Sequence, residues 1–189
     1  MTNDLDELTQ KWNLNFPDTE PRVDSLKSQF QDRWIRLYSL PGAKRYPETP
    51  EETRNIIDRY FSILSELSGS SDSLQTITCE WTVSPAPLIE STILLPPEQG
   101  GVYWMSLDER LHDADAETYR HLYVRQVNMR DPWLKDLLLK VIEDETAGVI
   151  MTSQSVEWLF HPYDGGMDII ANSPFERNKL AEKYKNWSS

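Results

Sequence analysis

The spacing of apolar residues shifts along the chain between about 3.6 and about 2, and each shift marks a change between helix and strand. Residues 1–21 hold few apolar positions and are interrupted by Pro17 and Pro21, which predicts an N-terminal arm ahead of a single domain over 22–189. From Asp24, the spacing of Leu26, Phe30, Trp34 and Leu37 predicts a helix, closed by Leu40-Pro41-Gly42. Thr49-Pro50-Glu51-Glu52 signs a second helix, with a capping hydroxyl, a proline whose missing N–H costs nothing at the first position, and a glutamate able to reach back. Ile56, Tyr60, Ile63, Leu64 and Leu67 follow at helical spacing until the Ser/Gly run at 68–71.

Over 75–83 the period falls to 2. Ile77, Cys79, Trp81 and Val83 alternate with Thr78, Glu80 and Thr82, predicting a strand with Cys79 on its apolar face as an inert core thiol. Pro85 and Pro87 break it, and further strands are expected at 88–95, 101–106 and 119–127. Leu107 to Glu117 forms an acid-rich loop between the last two.

The last third is the most legible. Asp131-Pro132 opens a helix whose Trp133, Leu134, Leu137, Leu138, Val141 and Ile142 form a wide apolar face, with Gly148 after its end. Strands are expected at 149–153, 156–163 and 166–171, the last two joined by a tight turn at Asp164-Gly165 that would put Gly165 at positive φ. With that turn, Phe160 faces Ile169, Pro162 faces Met167 and His161 faces Asp168, and the Phe160 face is wholly apolar; a slip of one residue would put Pro162 against Asp168. Ser173-Pro174-Phe175-Glu176 repeats the capping pattern before a terminal helix striped by Leu180, Tyr184 and Trp187. The fold class is α+β, a mostly antiparallel sheet packed against several helices.

The stretch His161-Pro162-Tyr163-Asp164-Gly165-Gly166-Met167-Asp168-Ile169-Ile170, with the terminal helix ending Tyr184-Lys185-Asn186-Trp187, resembles the C-terminal signature of an uncharacterised bacterial family, domain of unknown function thirty-eight eighty-five. Arg33-Trp34-Ile35-Arg36-Leu37 and Leu40-Pro41-Gly42-Ala43-Lys44-Arg45-Tyr46 resemble that family's opening. The resemblance supports the fold and carries no activity with it.

Composition narrows the partners. The 31 Asp and Glu against 19 Lys and Arg give a net charge of −12, which opposes nucleic acid and anionic membrane surfaces and suits a basic protein partner, or serves solubility alone. The start MTNDLDELTQ lacks the layout of a signal peptide, and no apolar run is long enough to span a bilayer, so a cytoplasmic location is expected. One cysteine makes neither an internal disulfide nor a thiolate metal site, and no phosphate-cradling loop is present, so no cofactor is expected.

The candidate chemistry is sparse. A carboxylate beside an imidazole is half of a general-base arrangement, so His161 and Asp168 form the candidate catalytic pair of a hydrolase with an unseen third group. The same pair reads first as a charge-assisted cross-strand contact that fixes the hairpin. Asp113, Asp115 and Glu117 begin like a calcium loop, but Thr118 and Val124 stand where glycine and a bidentate glutamate are needed. Asp108, Glu109, Asp113, Asp115 and Glu117 instead make a candidate surface for a basic partner, in the manner of an immunity or inhibitor protein.

Overall fold

Alternating side chains need two covered faces, and the computed structural model, which describes residues 2–87, 101–113 and 115–188, supplies them with one sheet between two layers of helices. The strands are β1 (Trp34–Tyr38), β2 (Ser73–Thr82), β3 (Val102–Asp108), β4 (Tyr119–Asn128), β5 (Ile150–Thr152), β6 (Leu159–Tyr163) and β7 (Gly166–Ile170). They form a seven-stranded antiparallel sheet in the order β1-β7-β6-β5-β2-β4-β3. The strand expected at 88–95 lies outside the described residues.

The helices are α1 (Thr2–Asn15), α2 (Val23–Gln29), α3 (Pro50–Ser68), α4 (Pro132–Ile142) and α5 (Pro174–Lys183). Three begin as their sequences predict: Thr49, Asp131 and Ser173 each accept a backbone N–H of the first turn, with proline at the next position. Glu52 reaches back one residue further than expected, accepting from the N–H of Glu48 at 2.7 Å while pairing with Lys44.

Strand parity sorts the core into two clusters. Leu37, Met151, Phe160, Met167 and Ile169 point to one face, under Tyr60 and Leu64 of α3, Leu134 and Leu138 of α4, and Leu180 of α5. Their neighbours Ile77, Ile150, Leu159 and Ile170 point to the other, under Leu8 and Trp12 of α1, Phe16 just beyond it, and Leu26 of α2. A bulge between Tyr103 and Met105 puts Trp104 onto this second face, where its indole N–H donates to Thr9 at 2.9 Å and its ring meets Trp12 edge-on.

Two stretches differ from their sequence patterns. Residues 2–15 are helical, because Leu8, Trp12 and Phe16 recur every four residues and bury a large area despite the polar positions between them; Pro17 follows the helix instead of interrupting it. The helix expected from Asp24 through Leu37 ends at Gln29, and Trp34 and Leu37 lie in β1. The helical spacing there is coincidental. Ile35 and Leu37 alternate with Trp34 and Arg36, and the ladder against β7, Trp34 opposite Ile170 through Tyr38 opposite Gly166, decides the state.

The β6–β7 hairpin has the expected register, with Tyr163 opposite Gly166, His161 opposite Asp168 and Phe160 opposite Ile169. The glycine requirement, however, falls on the other member of the pair. Gly165 is not at positive φ, and a Cβ there would meet Arg45 Cγ at 3.4 Å, an ordinary contact. At Gly166 a Cβ would stand 2.5 Å from the Leu37 carbonyl oxygen and 2.9 Å from the Tyr163 hydroxyl. Tyr60 of α3 locks the same corner, its hydroxyl donating to the Tyr163 carbonyl at 2.7 Å with the Gly166 carbonyl 3.2 Å away. Gly166→Ala should therefore cost about 1–3 kcal/mol, the usual cost of forcing atoms into a packed site. Gly165→Ala should stay within about 0.5 kcal/mol of wild type. Chemical denaturation reads both; equal losses would reject the close approach at Gly166.

Candidate functional site

The acidic segment begins inside β3, which runs two residues past its expected end and includes Asp108. Asp108 is satisfied locally: its carboxylate takes the Arg110 guanidinium at 2.8 and 2.6 Å, and that bond holds its carboxyl below the usual range. Glu109 opens a short 3-10 turn to Leu111 and points inward, so it is not part of an exposed surface. Its Oε2 lies 2.7 Å from Arg22 Nη1 and its Oε1 2.8 Å from Arg120 Nε, the latter a close charge contact without hydrogen-bond alignment. Arg120 in turn lies over the Trp81 ring.

The remaining three acids face water. Asp113, Asp115 and Glu117 are exposed, and Asp113 shapes the turn by accepting the Asp115 N–H at 3.0 Å. Leu111, immediately before them, leaves 76% of its surface exposed, and His112 reaches across to Glu20 at 2.8 Å. The five sequence candidates thus divide into two used by the fold and three presented beside an exposed leucine. All three stand just beyond β3, an edge strand of the sheet.

The hairpin places His161 and Asp168 opposite each other on the face shared with α2. Asp168 is buried, and both of its oxygens are engaged by Arg36, with Nε and Nη2 each at 2.8 Å. That bond raises the Arg36 pKa further, and the guanidinium sits within cation–π reach of Trp34 and Tyr163. Burial, then the Asp168 charge, pushes the Tyr163 hydroxyl up to about 12. His161 Nδ1 lies 2.7 Å from the Val149 carbonyl, which can only accept, so Nδ1 carries a hydrogen. A cavity of about 10 Å³ beside the pair is lined by apolar side chains with Lys27, His161 and Asp168, and none of its lining residues carries a hydroxyl or thiol. It has room for about one water molecule.

Sequence reasoning missed the partners. Arg36 answers Asp168 across 132 residues and Arg22 answers Glu109 across 87, distances at which no local pattern speaks. The alternation of Trp34, Ile35, Arg36 and Leu37 was the available signal for Arg36. Asp164 is a turn residue, paired with Arg45. Cys79 is buried on the apolar face as expected, donating to the Ala147 carbonyl at 3.3 Å, and burial pushes its thiol up to about 12. No group of three or more His, Cys, Asp or Glu side chains among the described residues could hold a metal ion, and no described helix is long and apolar enough to cross a membrane.

A family model described as a domain of unknown function, DUF3885, matches residues 23–189, from the first residue of α2 to the last residue of the chain. No curated protein and no solved structure matches.

Two outcomes follow from these environments. Removing Glu109 leaves the buried Arg22 and the half-buried Arg120 without their shared counter-charge, so Glu109→Ala should destabilise by about 3–5 kcal/mol, read as a lower denaturation midpoint. A loss under about 1 kcal/mol would mean the triad is dispensable. Because only the thiolate attacks, Cys79, with its raised pKa, should resist an aromatic disulfide reagent at pH 8 in the folded protein and react promptly in denaturant. Rapid native-state reaction would contradict the burial.

Proposed function

The chain belongs to the DUF3885 family, a domain of unknown function, and from that premise we propose that it acts as a protein-interaction module, immunity- or inhibitor-like, that binds a basic protein partner. The observation that carries this reading is the exposed Leu111 followed by Asp113, Asp115 and Glu117, at the end of an edge strand in a chain of net charge −12. An apolar side chain followed along the turn by like charges has the composition of an interface: the leucine gains from desolvation, and the carboxylates steer a cationic surface toward it. Mutual repulsion among the three acids is relieved when that surface arrives.

The alternative, a hydrolase using His161 and Asp168, has less behind it. An orienting carboxylate must accept from the imidazole, and the Nδ1–H of His161 goes to the Val149 carbonyl while Asp168 is paired with Arg36. The adjoining cavity has no room for a substrate. Ser153 and Ser155, nearby in sequence, bond to each other at 3.0 Å.

Affinity capture from the producing cells, with wild type and an Asp113→Asn, Asp115→Asn, Glu117→Gln triple variant as parallel baits, supplies the partner for surface plasmon resonance. The triple variant should associate at least about tenfold more slowly at low salt, with dissociation little changed. Raising salt should erase the difference, since the Debye length is already about 8 Å at physiological ionic strength. The melting temperature should stay level or rise. Unchanged association kinetics would remove this loop from the interface.

A further inference from the structure

The fully buried His121 lies in the centre of a row of three polar side chains that the sheet register sets side by side. Ser106 of β3 pairs with His121 of β4, and His121 pairs with Glu80 of β2, so all three project from the same face on adjacent strands. The histidine ring is held at both nitrogens. Nε2 lies 3.1 Å from the Ser84 carbonyl oxygen and 2.9 Å from Thr82 Oγ1, while Thr82 itself donates to the Ser84 carbonyl at 3.0 Å. A carbonyl only accepts, so Nε2 carries the hydrogen and Nδ1 presents its lone pair.

That lone pair meets Ser106 Oγ at 2.6 Å, so the serine donates its proton to the ring. Tyr103, whose hydroxyl is 2.8 Å from the same Oγ, must then be the donor to it. Glu80 is buried, and the Tyr123 hydroxyl donates to its Oε2 at 3.2 Å. Burial, then the charge of Glu80, pushes the Tyr123 hydroxyl up to about 12, and the Glu80 carboxylate stands in the register position next to the imidazole. Ser106 is partly exposed and Tyr103 is exposed beside it, so the nucleophilic oxygen is the end of the row that faces outward.

We propose that Ser106 and His121, whose Nε2–H is held by the Ser84 carbonyl, form a nucleophile and general base that hydrolyse small uncharged esters. Ser106 Oγ attacks the ester carbonyl carbon while its proton passes to His121 Nδ1. The tetrahedral centre collapses, the C–O bond to the alcohol breaks, and the departing oxygen takes that proton from Nδ1. Water then attacks the acyl-serine, gives a proton to Nδ1, and Ser106 recovers it as the carboxylic acid leaves. Ester and water become acid and alcohol, with no other reactant. The buried Glu80 carboxylate in the row disfavours anionic esters, and the exposed Tyr103 ring offers an apolar wall for a short acyl chain.

The test is labelling of the full chain with a fluorophosphonate, in which Oγ–P forms as P–F breaks, followed by peptide mapping. Ser106 should label on the order of a hundredfold faster than the exposed Ser155, the lower range of general-base assistance, and Ser106→Ala should lose that adduct. His121→Gln, shown folded by circular dichroism, should slow Ser106 labelling by a similar factor. The comparison with Ser155 stands within the wild-type protein should that variant not fold. No adduct at Ser106, a rate no faster than at Ser155, or full-rate labelling in folded His121→Gln would each overturn the proposal.

Discussion

The close approach of Gly166 to the Leu37 carbonyl fixes the part of the molecule from which the rest is built. Only a residue without a side chain lets β7 turn back against β6 and lie beside β1 at once, and Tyr60 of α3 ties the corner with its hydroxyl. Because strand faces alternate strictly, this corner decides which residues of β1, β6 and β7 face each helical layer. Phe160, Met167 and Ile169 are thereby committed to α3 and α4, and Arg36, His161 and Asp168 to the opposite face. The catalytic-looking pair is a consequence of that commitment. Once Asp168 is placed on a face shared with the apolar side chains of α2, its charge needs a bidentate partner, and β1 supplies Arg36 in register.

The other buried charges answer a similar need at the far edge of the sheet. Arg22 comes from the segment before α2, Glu109 from the turn after β3 and Arg120 from β4. Their meeting links the N-terminal layer to the edge strand that the acidic turn extends. Buried ions are poor sources of net stability but strict arbiters of position, since each is costly without the others. The turn that presents Leu111 and the three exposed carboxylates is therefore anchored at its root by a charge its own sequence neighbours do not show.

Much of this fold was legible because local chemistry and tertiary demand agree. The capped starts at Thr49, Asp131 and Ser173, the wide apolar face of α4 and the register of the β6–β7 hairpin each follow from residues near in sequence. The failures have equally physical causes. α1 is held by three large side chains, Leu8, Trp12 and Phe16, whose burial outweighs a polar composition; β1 was masked by a chance helical spacing that only its ladder with β7 overrides. Of the candidate site, the pairing of His161 with Asp168 was readable from the turn, and the inward rotation of Glu109 was not. The turn fixes near neighbours, whereas Glu109 is directed by Arg22 from far along the chain.

Among the described residues, the sheet is wider than the helical layer over its first face, and this mismatch accounts for where the unassigned chemistry lies. The large apolar cluster under α3, α4 and α5 draws only Leu74 and Val127 from β2 and β4. Farther along the same face, those strands carry Thr76, Thr78, Glu80 and Thr82 opposite Arg125, Tyr123, His121 and Tyr119. An apolar stripe at these positions would have extended the cluster along the strands. Polar side chains instead satisfy one another across the strands, through Ser106 to His121, His121 to Thr82 and Tyr123 to Glu80. Such a network fixes tautomers and proton directions as a by-product of satisfying buried polar groups, and a serine at its outer end inherits a base already oriented toward it.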